Sequence, residues 1–288
     1  MAYFLIVLAT FLWAASIVII RGVHEQIPPL GLSFLRWFLG ALFLLPFVWK
    51  ELFRKTYLIK QHFLLISSLG VLQVGSSVFL VLGVNFTSAI NASVINASQP
   101  GLTAAIAWIL LKDKVNLTQT FGIIVGLLGI VTIITRAKLE TLLLLDMNLG
   151  DGLVLLAIIG WGTYAVLMPR VPKQLGMTTF LFLILFIGSL ASLPFYIFES
   201  LYIRTVPYTI DTLITLIVLG IIVSVGSIYV WNAGIRAVGP NRASIFLNLI
   251  PVFGAVLAIL FLGEVLFVFH FIGALLVFFG ISLVIKRH

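Results

Sequence analysis

The chain has 288 residues, of which 62% are hydrophobic and 9% charged, with a formal net charge of +8. A soluble domain of this size cannot cover so much apolar surface with so few charges, so the composition selects lipid as the solvent. Cysteine is absent, which removes disulfide and thiolate chemistry.

Spanning a hydrocarbon core takes about 20 apolar residues per helix. Ten runs are read as spans: 3–20, 32–49, 63–83, 89–111, 118–135, 152–169, 178–198, 212–234, 243–262 and 268–285. The first has no basic residue before it and no small-residue cleavage site after it, so it reads as a helix rather than a removable signal. The connections are short and leave no room for a separate soluble domain. A membrane barrel would need shorter segments of alternating polarity. The expected fold is an all-α membrane protein of ten transmembrane helices.

The same plan occurs twice. LATFLWAAS around Trp13 returns as LAIIGWGTY around Trp161, and at the same offset of 148 Pro46 pairs with Pro194. Pro100, Asp113, Gly122 and Gly129 pair with Pro251, Glu264, Gly273 and Gly280 at offset 151. The expected units are residues 1–140 and 147–288, each with five helices. Because five is odd, the second unit enters the membrane from the opposite side, which makes the two inverted repeats with a site expected between them near mid-depth.

The positive charge is a loop bias and not a nucleic-acid surface. With the N-terminus in the cytoplasm, twelve Lys and Arg fall on the cytoplasmic side, among them Lys50, Arg54, Lys55, Lys60, Arg170 and Lys173. Four fall opposite: Arg21, Arg136, Lys138 and Arg204. Positive loops stay inside, so both termini are expected in the cytoplasm of a multi-pass inner-membrane protein.

The stretch 233–264, AGIRAVGPNRASIFLNLIPVFGAVLAILFLGE, precedes a glycine-spaced last run, and 87–113, TSAINASVINASQPGLTAAIAWILLKD, precedes FGIIVGLLGI. Together they resemble the repeats of EamA-type carriers of the drug/metabolite transporter superfamily. The resemblance covers essentially the whole chain. It implies a ten-helix carrier of small organic solutes, often an exporter of amino acids or related metabolites.

Several residues are candidates for the pathway. Asn96 and Gln99 share a helical face in the fourth run, and Gln73 and Ser77 share one in the third. Tyr229 and Asn248 add polar groups from the eighth and ninth runs. Lipid does not solvate such groups, so they either line a cavity or bond between helices. Trp13 and Trp161 lie at mid-run, where they form either a wall for substrate or a packing contact. Tyr164 would extend that wall. Trp37, Trp49 and Trp108 lie nearer run ends and read as interfacial belt residues. Arg36 is a basic residue inside a span, where it either draws a substrate carboxylate or snorkels to the interface. Its counterpart is Ile184. Pro100 and Pro251 read as mid-helix kinks that are either hinges or static.

Asp113 and Glu264 read as caps on the helix that follows each of them. The four His, at 24, 62, 270 and 288, give no metal spacing. No motif calls for a metal or cofactor, and no nucleophile elbow or phosphate loop is present. The leading function is outward carriage of a small-molecule substrate by alternating access. Nucleotide-sugar or drug carriage, and an intramembrane lipid-modifying enzyme, are the competing readings.

Overall fold

Helices form here because apolar side chains and internally satisfied backbone groups are the two requirements of a lipid solvent. The computed structural model describes residues 2–112, 117–137, 148–238 and 246–285. In chain order the helices are α1 (Ala2–Gly22), α2 (Pro29–Arg54), α3 (Thr56–Gln61), α4 (Phe63–Phe86), α5 (Ala89–Ala97), α6 (Gln99–Leu111) and α7 (Leu117–Ile134). They continue with α8 (Leu149–Leu167), α9 (Met177–Tyr202), α10 (Ile210–Ile217), a π-helical segment (Val218–Gly226), α11 (Ser227–Val238), α12 (Leu249–Leu262) and α13 (Val268–Ile285).

Six segments are long and apolar enough to cross a membrane, and α5 with α6 makes a seventh, bent by 45°. α7, α12 and α13 contribute shorter apolar helices. Large apolar side chains such as Phe47, Leu64, Phe195, Leu260 and Phe271 are more than half exposed around the outside. Water would penalise such a surface and lipid does not. The chain is a multi-pass membrane protein.

Local signals set the breaks. Ser88 caps α5 by accepting from the Asn91 N–H (3.0 Å), and Asn148 caps α8 by accepting from the Gly150 N–H (2.7 Å). Pro100 does not kink a continuous helix as expected. The chain breaks at Ser98, and Pro100 sits in the first turn of α6, where its missing N–H costs nothing. The carbonyl of Asn96 accepts from the Ser98 N–H instead of lying free. Pro251 likewise lies in the first turn of α12, after a 3-10 turn at Phe246–Asn248.

The halves pack reciprocally. α1 lies against α11 and α12, and α8 lies against α4 and α6. α2 meets α9, α5 meets α12, and α7 meets α13. The close approaches follow the same exchange. A Cβ on Gly220 would stand 2.6 Å from the Arg36 carbonyl oxygen, and one on Gly70 would stand 2.9 Å from that of Ile184. A Cβ on Gly129 would stand 2.7 Å from the Gly273 carbonyl oxygen, and one on Gly280 would stand 2.5 Å from that of Gly122. Only glycine permits these backbones to touch.

Candidate functional site

A cavity of about 360 Å³ lies between helices of both halves. Of the expected residues, it brings together Trp13, Arg36, Gln73, Asn96, Gln99, Trp161 and Tyr164. Arg36 and its counterpart Ile184 both line it, as do Asn96 and Leu247. Ser77 is not in the lining; it is fully buried, with a hydroxyl that has no partner among the described residues. Tyr229 faces outward and donates its hydroxyl to Thr178 (2.9 Å). Asn248 lies in the 3-10 turn before α12, and its side chain falls outside the described residues.

Arg36 does not snorkel. It is 4% exposed, and its guanidinium carbon stands 4.6 Å from the centre of the Trp37 ring. Trp37 is no belt residue either: it is 3% exposed and lines the cavity. Both residues lie on the inward face of α2, a face that distance from the run end alone does not reveal. Nε and Nη1 of Arg36 and Nε1 of Trp37 have no acceptor among the described residues. Such donors cost stability until an acceptor meets them. No acidic side chain lines the cavity among the described residues. Arg36 is therefore its only charged lining group there.

The rest of the wall is aromatic or amide. Trp13 packs on Trp231 with ring centroids 5.1 Å apart. The Trp161 indole N–H donates to the Gln73 carbonyl (3.2 Å), which fixes that ring across the α8–α4 contact. Ser224 lines the cavity and donates to the Leu219 carbonyl (2.7 Å), five residues back, inside the π-helical segment. The cavity extends to Met168 and Met177, which flank the α8–α9 turn.

At the opposite end of the bundle, polar groups hydrogen-bond helices of the two halves to one another. The Glu199 carboxylate accepts from the N–H groups of Leu30 and Gly31 (3.1 and 2.7 Å). Glu264 accepts from those of Ala89 and Ile90 (2.8 and 3.0 Å). Glu264 thus caps a helix of the other half, and not the helix that follows it. Asp113 lies outside the described residues. Asp151, buried at the start of α8, accepts from the Thr87 hydroxyl and from Asn91 Nδ2. His270 Nε2 stands 2.9 Å from Asn91 Oδ1. Arg204 donates to the Glu25 carbonyl. At the cavity end, Glu51 accepts from Thr179 and from Lys55, and Lys55 also donates to the Leu175 carbonyl (3.0 Å).

A sequence profile of the EamA-like transporter family matches residues 1–135 and 148–286. The chain belongs to the EamA-like transporter family. Among its relatives is the uncharacterized transporter YyaM of Bacillus subtilis, 28% identical over 84% of this chain and 79% of the relative. An uncharacterized transporter of Archaeoglobus fulgidus is 25% identical over 99% of this chain and 98% of its own length. A protein of Salmonella typhimurium named a probable amino-acid metabolite efflux pump is 24% identical over 96% and 92%. The fold of this EamA-like transporter also matches a protein solved by crystallography, with a TM-score of 0.63 at 17% identity, over 98% of this chain and 96% of the other.

Proposed function

We propose that this transporter carries small organic metabolites, amino acids or related compounds, outward by alternating access. The carriers of motion are two inverted five-helix repeats, residues 1–140 and 147–288. The reciprocal packing of α1 on α11 and α12 with α8 on α4 and α6 supports that arrangement. The lysine-rich end faces the cytoplasm, so both termini lie inside and the membrane is the inner one.

One observation carries the reading: a cavity shared by both halves reaches one end of the bundle while hydrogen bonds join the two halves at the other. A through-pore would leave both ends open. Arg36 and Trp37 receive the substrate carboxylate; Gln73, Asn96 and Gln99 meet its other polar groups; Trp13, Trp161 and Tyr164 enclose its apolar body. Ser77 and Tyr229 stand outside this lining. Pro100 and Pro251 mark the points about which α6 and α12 swing. A nucleotide sugar would call for more than one cation at its phosphates, and among the described residues Arg36 alone supplies charge here.

The test is counterflow in proteoliposomes loaded with one amino acid and offered a labelled one. Exchange should saturate, and Arg36→Gln and Trp161→Ala should each reduce it. Folded variants that exchange at the parent rate with parent affinity would remove this cavity from the pathway.

A further inference from the structure

His270 sits at the end of the bundle where hydrogen bonds join the two halves, and every one of its bonds constrains its proton. The four residues concerned, Thr87, Asn91, Asp151 and His270, are each 5% exposed or less. Asn91 donates from Nδ2 to both Asp151 oxygens (3.2 Å each) and to Thr87 Oγ1 (3.2 Å). Its amide is thereby oriented, and Oδ1 is left facing His270 Nε2. An amide oxygen only accepts, so Nε2 carries hydrogen. On the other side of the ring, the Phe267 N–H donates to Nδ1 (2.9 Å), so Nδ1 holds a lone pair. The imidazole is fixed as the neutral Nε2–H tautomer. Asp151 accepts from the Thr87 hydroxyl and from the Asn91 amide.

We infer that His270 is a proton-binding site, and that protonating it unlocks the end of the bundle opposite the cavity mouth. A proton arriving at Nδ1 would put N–H against the Phe267 N–H, and that contact breaks. Phe267 belongs to the α12–α13 connection, which also carries Glu264. The bond from Ala89 and Ile90 to the Glu264 carboxylate therefore loosens with it, and α5 of one half parts from α12–α13 of the other. The ligand is the proton itself, and it couples opening of this end to acidity on this side.

The charged groups around the site are few. Among the described residues, Asp151 and Glu264 are the carboxylates, Arg136 at the end of α7 is the cation that acts on Asp151, and Arg21 donates to the carbonyls of Val84 and Asn85. α4, α5, α6, α7 and α12 carry no titratable side chain. No other group on those elements takes the proton.

The chain has no native cysteine, so a single engineered one reports accessibility. Ser93→Cys places it, fully buried, where α5 meets Gly254 of α12. Tyr208→Cys, fully exposed beyond α9, serves as the reactivity control at each pH. With the protein in nanodiscs, the ratio of maleimide labelling at 93 to that at 208 should rise about tenfold as pH falls across the histidine range, from about 8 to about 5. His270→Gln keeps a donor toward Asn91 and has no Nδ1 to protonate, so its ratio should stay low throughout. A ratio independent of pH in the parent overturns the proposal, as does an undiminished rise in folded His270→Gln. Nitrogen-15 NMR of protein with His24, His62 and His288 replaced by Gln gives a reading that needs no change at 270. The Nε2–H tautomer is expected at high pH, and the Nδ1–H tautomer overturns the assignment. None of these readouts measures transport, so failure here leaves the cavity reading standing, and failure of counterflow leaves this one standing.

Discussion

Arg36 is a guanidinium that the fold buries beside Trp37 with no acceptor for Nε or Nη1 among the described residues. Burial of an unpaired charge costs stability, and a carboxylate ligand offsets that cost. Two effects of opposite sign follow for Arg36→Gln. Affinity for a carboxylate substrate should fall by about 10- to 100-fold, the range for losing a charged hydrogen-bonding partner. Thermal stability of the unliganded protein in detergent should hold or rise. A variant that loses stability and keeps its affinity would make Arg36 a structural residue. Glu199 behaves in the opposite way, since its two N–H partners are already in place. Glu199→Ala should cost about 1–3 kcal/mol of stability, read as a lower unfolding temperature. Sequence spacing picked out Arg36, Gln73, Asn96 and Gln99, because polar groups in a lipid-soluble run are conspicuous. It misassigned Trp37, whose depth along the run said belt while its face of the helix said cavity. It also passed over Asp151 and His270, which look like ordinary helix-end residues until α8 and α13 bring them to one amide on α5.

At the scale of elements, the helices were legible from apolar runs and their breaks were not. Pro100 announced an interruption, but only the fold shows that the break falls at Ser98 and bends the span by 45°. The run at 243–262 is shorter as a helix, since a 3-10 turn occupies Phe246–Asn248 before α12 begins. The glycines were legible as close-packing residues, but not which backbone each would meet. That distinction is testable within a single pair. Gly188→Ala drives a Cβ to within 2.4 Å of the Gly70 carbonyl oxygen and should cost about 1–3 kcal/mol, seen as loss of monodisperse protein on gel filtration. Gly75→Ala, on α4 with nothing within 4 Å of its Cβ, should leave the elution profile unchanged or raise the unfolding temperature slightly. Equal damage from both would mean that α4 and α9 do not cross where described.

Over the whole molecule, charge and polarity are divided between two ends. Lys55, Leu175 and Thr179 meet around Glu51 at the cavity end, whereas Glu199, Glu264, Asp151 and His270 gather at the other. In the proposed orientation, Tyr208→Cys is labelled by an impermeant maleimide added outside intact cells, and Lys173→Cys is not. The reverse pattern would invert the topology and turn the cavity outward. The doubling of the chain was legible because Trp, Pro and Gly recur at fixed offsets. The hydrogen bonds that join helices at one end were not, because bonds between residues more than 160 apart, such as Gly31 to Glu199, leave no local mark.

The two glutamates at that end grip main-chain N–H groups, and this makes the closure genetically one-sided. Every amino acid but proline brings an N–H to positions 30, 89 and 90, so the donor group survives substitution there; at Gly31 it survives too, but a Cβ would stand 2.3 Å from Val206 Cγ2. Loss is concentrated at Glu199 and Glu264. A selection for transporters stuck open at that end should therefore return changes at the two carboxylates far more often than at the residues they hold.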